Sequence, residues 1–198
     1  SRLLIADKAS NDEAIAGTNT EKYLVPSTMQ AKLNKMSNYK SGSVSGGDSA
    51  TTTTIFQPSD INSATTGTVT IDGYFYANGT GSLPQYVIVN GTSIIGMYQY
   101  FLGSGDLTRD RINNVSSFSM VAERCSGTPR NAPFKIIINL NRQTILIKTT
   151  VYVGSNTQAL GICEAFMRYS SLTNVRLQCR SGSTNKTASA YYSISYSR

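Results

Sequence analysis

Two neighbouring runs, FKIIINL (residues 134–140) and QTILIKTTVYV (residues 143–153), indicate the fold class of this chain. Both are short, rich in β-branched residues and alternate apolar with polar positions, which is typical of strands that bury one face. The same pattern recurs from Ile55 to the end of the sequence. The further runs are TVTIDGYFYA, QYVIVN, SIIGMYQYF, SSFSMVAE, LGICEAFMRY, NVRLQC and AYYSISYS.

Turn dipeptides separate these runs at a spacing of roughly 8–12 residues, as in sandwiches and barrels. No helix of useful length is indicated after Lys35. The sequence therefore predicts an all-β head over residues 55–198, an antiparallel β-sandwich of the jelly-roll or a related Greek-key type. The dipeptides are Asn78-Gly79, Asn90-Gly91, Ser104-Gly105, Ser126-Gly127 and Ser181-Gly182.

Signals for two short helices precede the β region. A capping box at Ser10 and a stop at Gly17 predict a helix over residues 11–16, and a second box at Ser27 predicts another over residues 28–35. Isolated helices shorter than about 12 residues are marginal in water, so these two need an outside partner. The apolar residues that require burial are Ile15, Tyr23, Leu24, Met29 and Leu33.

The chain is thus expected to have three parts. Residues 1–36 hold the helices, residues 37–54 are rich in Ser, Gly and Thr without an apolar period, and residues 55–198 form the β head. We expect the middle part to be a linker or a loose surface ribbon.

The counts of histidine and cysteine limit the chemistry. There is no histidine, which excludes a Ser-His-Asp triad and a histidine general base and argues against a zinc site. Cys163 and Cys179 fall on the apolar faces of alternating runs, so we expect buried free thiols, with Cys125 the more exposed of the three. The sequence predicts no cofactor and no metal site.

The positive charge is concentrated in the second half. Residues 1–100 hold six Lys and Arg against seven Asp and Glu, whereas residues 101–198 hold twelve against four, so that half accounts for the net charge of +7. An acidic ligand is the expected partner of that half. The basic residues are scattered and no apolar run approaches about 18 residues, so we expect neither nucleic-acid binding nor membrane insertion.

The stretch IAGTNTEKYLVPSTMQAKLN, residues 15–34, resembles the collar motif A-G-T-[DN]-x-x-K-Y-[VL]-[TV]-P-x-x-[LM] of tail-fibre and receptor-binding proteins of tailed bacteriophages. The departures are mild, with Asn19 where Asp is more usual and Val25 where Thr is frequent. The aromatic-rich C-terminus also resembles the closing hairpin of such fibre heads. The matching positions are Ala16, Gly17, Thr18, Asn19, Lys22, Tyr23, Leu24, Val25, Pro26 and Met29.

The resemblance implies a homotrimer in the virion, assembled in the host cytoplasm, whose helices form a collar around the three-fold axis between an upstream shaft and a head. The head of such a fibre attaches the phage to a polysaccharide, lipopolysaccharide or surface protein of the bacterial host. The collar residues implied by the resemblance are Ile15, Tyr23, Leu24, Pro26, Met29 and Leu33.

Two loops offer candidate receptor contacts, because a rigid sandwich displays its loops. They are GSGDLTRDR (residues 103–111) and ERCSGTPRNAP (residues 123–133), and an arginine there can hold phosphate or carboxylate with two parallel hydrogen bonds. Alternatively, Tyr98 and Tyr100, in a stretch without charged residues, stack on neutral sugars. The loop candidates are Asp106, Arg109, Asp110, Arg111, Arg124, Arg130 and Asn131.

Two other classes of function remain open at this point. A capsule-degrading tail hydrolase needs paired carboxylates, for which the sequence offers Asp106 with Asp110, or Glu123 with Glu164. A jelly-roll capsid protein of a small virus is the other alternative. Its expected basic terminal arm is not seen in this sequence.

Overall fold

A computed structural model describes residues 10, 40–77, 84–101, 107–123, 130–153, 159–181 and 187–197. The chain divides into two compact units, residues 1–39 and 40–198, and the description below concerns the second. The described part is all-β, with one short 3-10 helix at Pro58–Ile61. Its strands are β1 (Lys40–Gly46), β2 (Thr51–Phe56), β3 (Thr68–Ala77), β4 (Gln85–Phe101), β5 (Leu107–Glu123), β6 (Arg130–Asn139), β7 (Thr144–Val153), β8 (Ala159–Arg168), β9 (Ser171–Cys179) and β10 (Ala188–Ser197).

The strands form one antiparallel sheet in the order β1-β10-β3-β6-β7-β8-β4-β9-β2, with β5 paired to β4. One edge of β4 pairs with β5, and its other edge is shared by two strands. Residues 86–92 of β4 pair with β9, and residues 95–101 pair with β8. Strands β8 and β9 therefore follow one another along a single edge of β4.

Two glycines allow this part of the sheet to bulge. A Cβ atom on Gly91 would lie 2.3 Å from the carbonyl oxygen of Ser171, and one on Gly96 would lie 2.2 Å from that of Phe166. The register of β4 shifts between these glycines, and Ser93 adopts a left-handed φ of 50° there. Such irregularities bend a strand and increase its twist, as β-bulges generally do.

The sheet encloses one hydrophobic core, to which every strand contributes. Around that core its two edges approach each other. Lys40 of β1 donates a hydrogen bond from Nζ to the carbonyl oxygen of Ile55 in β2, at 3.2 Å. The N–H of Ser181, just after β9, donates to the carbonyl oxygen of Gly47, just after β1, at 2.9 Å. The described sheet is consequently almost closed.

The prediction of a linker or a loose surface ribbon over residues 37–54 is wrong for residues 40–46 and 51–54, which belong to β1 and β2. These strands lie at the two ends of the strand order and expose most of their side chains, with Val44, Ile55 and Phe56 among their few buried residues. Backbone hydrogen bonds to β10 and β9 hold these polar strands in the sheet. Because most of their side chains face solvent, the sequence shows no apolar period there.

The turn predicted at Asn90-Gly91 is also wrong, because β4 continues through it as a single strand. The prediction that Cys163 and Cys179 are buried free thiols is confirmed. Cys125, the predicted helices and all collar residues lie outside the described residues. Within the described residues, no helix has the length and apolar character needed to cross a membrane.

Candidate functional site

Six polar side chains line up across the outer face of the sheet. On this face the side chains point to solvent, while most alternate positions of the same strands are buried in the core. The cross-strand register places these six side chains directly beside one another, one from each of six neighbouring strands. We name this line the polar row. In spatial order, from β3 through β6, β7, β8 and β4 to β5, it contains Asp72, Lys135, Lys148, Glu164, Gln99 and Arg109.

Ion pairs and a hydrogen bond connect neighbours within the polar row. Lys135 Nζ lies 3.2 Å from Asp72 Oδ1, and Lys148 Nζ lies 2.8 Å from Glu164 Oε1. Gln99 Nε2 donates to Glu164 Oε2 at 3.5 Å. The hydrogen bond from Lys148 lowers the pKa of Glu164, and the bond from Gln99 adds to this effect. Glu164 is therefore ionised at neutral pH, while both ion pairs remain open to solvent and easy to exchange.

A line of apolar side chains runs beside the polar row, two positions away on each strand. It contains Ile137, Leu146, Phe166 and Met97, and we name it the apolar row. Met97 is 62% exposed and Phe166 is 52% exposed, which is unusual for large apolar side chains that pair across two adjacent strands. Arg111 of β5 lies next to Met97 and ends this row.

Aromatic side chains border the polar row on its other side. Tyr74 of β3 and Tyr191 of β10 stack with their ring centroids 5.0 Å apart and an interplanar angle of 24°. Pro133 of β6 pairs with Tyr74, and Ile162 of β8 is exposed on the same face. We name this border the aromatic row. The polar row is thus bordered by apolar surface on both sides.

Two shallow cavities lie along the polar row. The first has a volume of about 390 Å³ and opens between the polar row and the apolar row. The second has a volume of about 350 Å³ and opens between the polar row and the aromatic row. The first is lined by residues that include Met97, Gln99, Arg109, Leu146, Glu164 and Phe166, and the second by residues that include Asp72, Pro133, Lys135, Lys148 and Ile162.

The outer face carries an excess of positive charge near β5. Arg109 and Arg111 are exposed two residues apart on the same side of β5, and neither forms an ion pair within the described part of the chain. Arg168 of β8 is exposed on the same face, next to Ile95. Among the described side chains of the outer face, three arginines and two lysines accompany the two carboxylates of the polar row, which produces a local field that attracts anions.

The structure corrects the prediction that the candidate contacts lie on loops. Arg109, Asp110 and Arg111 lie within β5, and Asn131 lies within β6. The alternation of a strand separates them, because Arg109 and Arg111 face outward while Asp110 points to the opposite face. There the hydroxyl of Tyr98 donates to Asp110 Oδ2 at 3.4 Å.

The remaining candidates are placed only in part. Asn131 is exposed on the outer face, on the same strand as Lys135. Arg130 begins β6 and Tyr100 lies in β4, but their side chains are outside the described set. Asp106 and Arg124 lie outside the described residues altogether. The structure therefore brings together Arg109 and Arg111. It directs the side chains of Tyr98 and Asp110 to the other face, although Tyr98 also lines the first cavity.

Sequence reasoning missed most of the polar row. The sequence does indicate two of its members: Lys135 and Lys148 are single charged residues inside apolar runs, and they mark the solvent side of their strands. What was missing is the register between strands, which depends on contacts between distant parts of the chain.

Comparison with known proteins gives no relative that assigns a family. Neither a protein-family model nor a curated protein matches the chain. Among solved structures, the chain is similar to alginate lyase A1-II', a member of polysaccharide lyase family-7, at 11% identity and a TM-score of 0.25. The matched region covers 67% of this chain and 63% of the lyase. The chain is also similar to a structure of infectious bursal disease virus, Gx strain, at 13% identity and a TM-score of 0.16, over 81% of this chain and 39% of that one. Scores at this level carry no argument about fold or function.

Proposed function

We propose that the chain is part of a tailed-bacteriophage fibre that attaches the virion to a glycan on the bacterial surface. In this proposal residues 1–36 form a helical collar, residues 40–198 form a jelly-roll-like receptor-binding head, and three chains assemble around one axis. The collar motif supports the fibre assignment. The observation that carries the binding function is the open polar row with apolar surface on both sides.

The outer face suits a sugar ligand for a simple chemical reason. A sugar ring presents hydroxyl groups around its edge and C–H groups on its faces. Gln99 can both donate and accept hydrogen bonds, and the carboxylate of Glu164 accepts them, so both fit hydroxyl groups. Phe166 and the stacked tyrosines offer flat apolar surface to the C–H groups. Weak binding at one site becomes firm attachment when three sites act together.

Hydrolysis is supported less well by the described carboxylates. Asp72 and Glu164 share the outer face but are separated by three strand spacings, roughly 14 Å at the usual distance between strands. Paired carboxylates of glycosidases lie about 5–9.5 Å apart. Glu123 pairs with Gln85, at the opposite end of β4 from the partner of Glu164.

A cell-adsorption assay across salt concentrations tests the proposed function. We expect the protein to adsorb to host cells, with adsorption falling as salt is added, because exposed charges are screened. Changing Arg109, Arg111 and Arg130 together to Ser should abolish adsorption, whereas Tyr98→Ala and Tyr100→Ala should have little effect. Sensitivity to the tyrosine changes with no salt dependence would favour recognition of neutral sugars instead.

The control is Arg142→Ser, which removes one exposed charge from the turn between β6 and β7. Adsorption of this variant should match that of the unchanged protein. Size-exclusion chromatography with light scattering tests the assembly. A trimer supports the fibre assignment, and a monomer contradicts it.

A further inference from the structure

The spacing of the polar row defines the direction in which a long ligand can bind. Neighbouring members come from neighbouring strands, so they repeat at about 4.8 Å across the sheet. A linear chain of pyranose sugars advances by a similar distance per residue. A glycan lying at right angles to the strands therefore meets one polar side chain per sugar.

The borders of the polar row keep an extended ligand in that direction. Phe166 and Met97 stand on one side, over β8 and β4, and Ile162 of β8 stands on the other. The stacked Tyr74 and Tyr191 lie further along that second border, over β3 and β10. The two cavities lie on opposite sides of the row and both contact the strands that carry Lys148 and Glu164. The first cavity extends across β5, β4, β8 and β7, and we name it, with the second cavity that reaches β7 and β8 from the other side, the outer trough.

Charge decides which kind of glycan fits this trough. Arg109 and Arg111 at the β5 end have no acidic partner within the described residues, so they are available to anionic groups. Lys148 and Lys135 are engaged only in solvent-exposed ion pairs, which contribute little and can be replaced by pairs with a ligand. Cationic side chains are thus available on β5, β7 and β6, on both sides of the Glu164 and Gln99 positions.

We propose that the outer trough binds a linear polysaccharide of acidic sugars, with its chain crossing β5, β4, β8 and β7 along the polar row. This inference rests on the proposed function for the source of the glycan. Arg109 and Arg111 hold carboxylates at the β5 end, Gln99 and Glu164 bind hydroxyl groups, and Phe166 packs against a sugar face. A neutral chain of equal length lacks the contacts to the arginines and binds more weakly.

Methionine methyl signals provide the test, because the protein carries its own internal controls. Met97 is exposed beside the trough, whereas Met120 and Met167 are buried. The protein is labelled with ¹³C at the methionine methyl groups and titrated with hexagalacturonate, and separately with the neutral maltohexaose. We expect hexagalacturonate to shift the Met97 signal and to leave those of Met120 and Met167 in place. Maltohexaose should cause a clearly smaller shift, and Met97→Leu identifies the signal.

Matched variants then assign the charge contacts. Arg109→Ala and Arg111→Ala should each weaken hexagalacturonate binding by about tenfold, the loss expected for a charge-assisted hydrogen bond, while Arg142→Ala should not. The proposal is overturned if Met97 does not move, if both hexamers move it equally, or if the arginine variants bind as the unchanged protein does.

Failure of this inference and failure of the proposed function give different results. If Arg109→Ala and Arg111→Ala leave cell adsorption intact, the trough is not the receptor site, but attachment stands. If the unchanged protein binds hexagalacturonate and adsorbs to no bacterial cells, the trough stands and attachment fails.

Discussion

At the scale of single residues, Gln85 joins two distant parts of the chain. It is fully buried, its Nε2 donates to the carbonyl oxygen of Arg180 at 2.8 Å, and its Oε1 accepts from the N–H of Arg180 at 3.0 Å. We expect Gln85→Leu to lower the free energy of unfolding by about 2–4 kcal/mol, because these two backbone groups lose their partner. Urea unfolding measures the change. Gln178→Leu, which removes an exposed hydrogen bond to Thr52, should cost less than about 1 kcal/mol, and an equal loss in both variants would contradict the argument.

Cys163 links stability to alkaline pH. Burial raises the pKa of its thiol from 9.0 to about 11, with a smaller opposing effect from its hydrogen bond with Thr149. In the unfolded chain the thiol ionises near pH 9, while in the folded chain it stays protonated to about pH 11, so rising pH favours unfolding within that window. The stability difference between the unchanged protein and Cys163→Ala should therefore be constant below pH 9 and shrink towards pH 11. Urea unfolding at several pH values measures it, and a constant difference would refute the linkage.

At the scale of secondary-structure elements, the irregular middle of β4 depends on glycine. A side chain at Gly91 or Gly96 would collide with backbone oxygens of the paired strand, which cannot move aside as a flexible side chain can. We expect Gly91→Ala and Gly96→Ala each to destabilise the fold by about 2 kcal/mol or more. Gly47 is the matched control, since a Cβ there meets nothing within 4 Å. Thermal unfolding should show Gly47→Ala unchanged, and a similar loss in all three variants would rule out the close-approach explanation.

The same elements show how far the sequence can predict this fold. TVTIDGYFYA matches β3, and FKIIINL and QTILIKTTVYV match β6 and β7 apart from Leu140 and Gln143, because each strand buries one face and so keeps a period of two. For the first half of β5 the sequence predicts a loop, since Arg109, Asp110 and Arg111 mask that period. The face of Arg109 and Arg111 follows once β5 is known to be a strand. The sequence cannot predict that Arg109 lies beside Gln99 and Glu164, because this alignment arises from pairing between segments far apart in sequence.

At the scale of the whole molecule, residues 40–198 contain all the contacts that close the described sheet. Its core residues run from Val44 to Ile194, and the hydrogen bonds between its edges begin at Lys40. A fragment of residues 40–198 should consequently fold alone, with the same thermal midpoint for its β unit and the same affinity for hexagalacturonate at each site. If residues 1–36 form the trimeric collar, this fragment should be monomeric by light scattering and should adsorb to cells far more weakly than the full chain, because avidity is lost.

A trimeric fragment would place the assembly contacts in the head, and an unfolded one would contradict the independence of the β unit. Equal adsorption by a monomeric fragment would show that attachment does not depend on three linked sites.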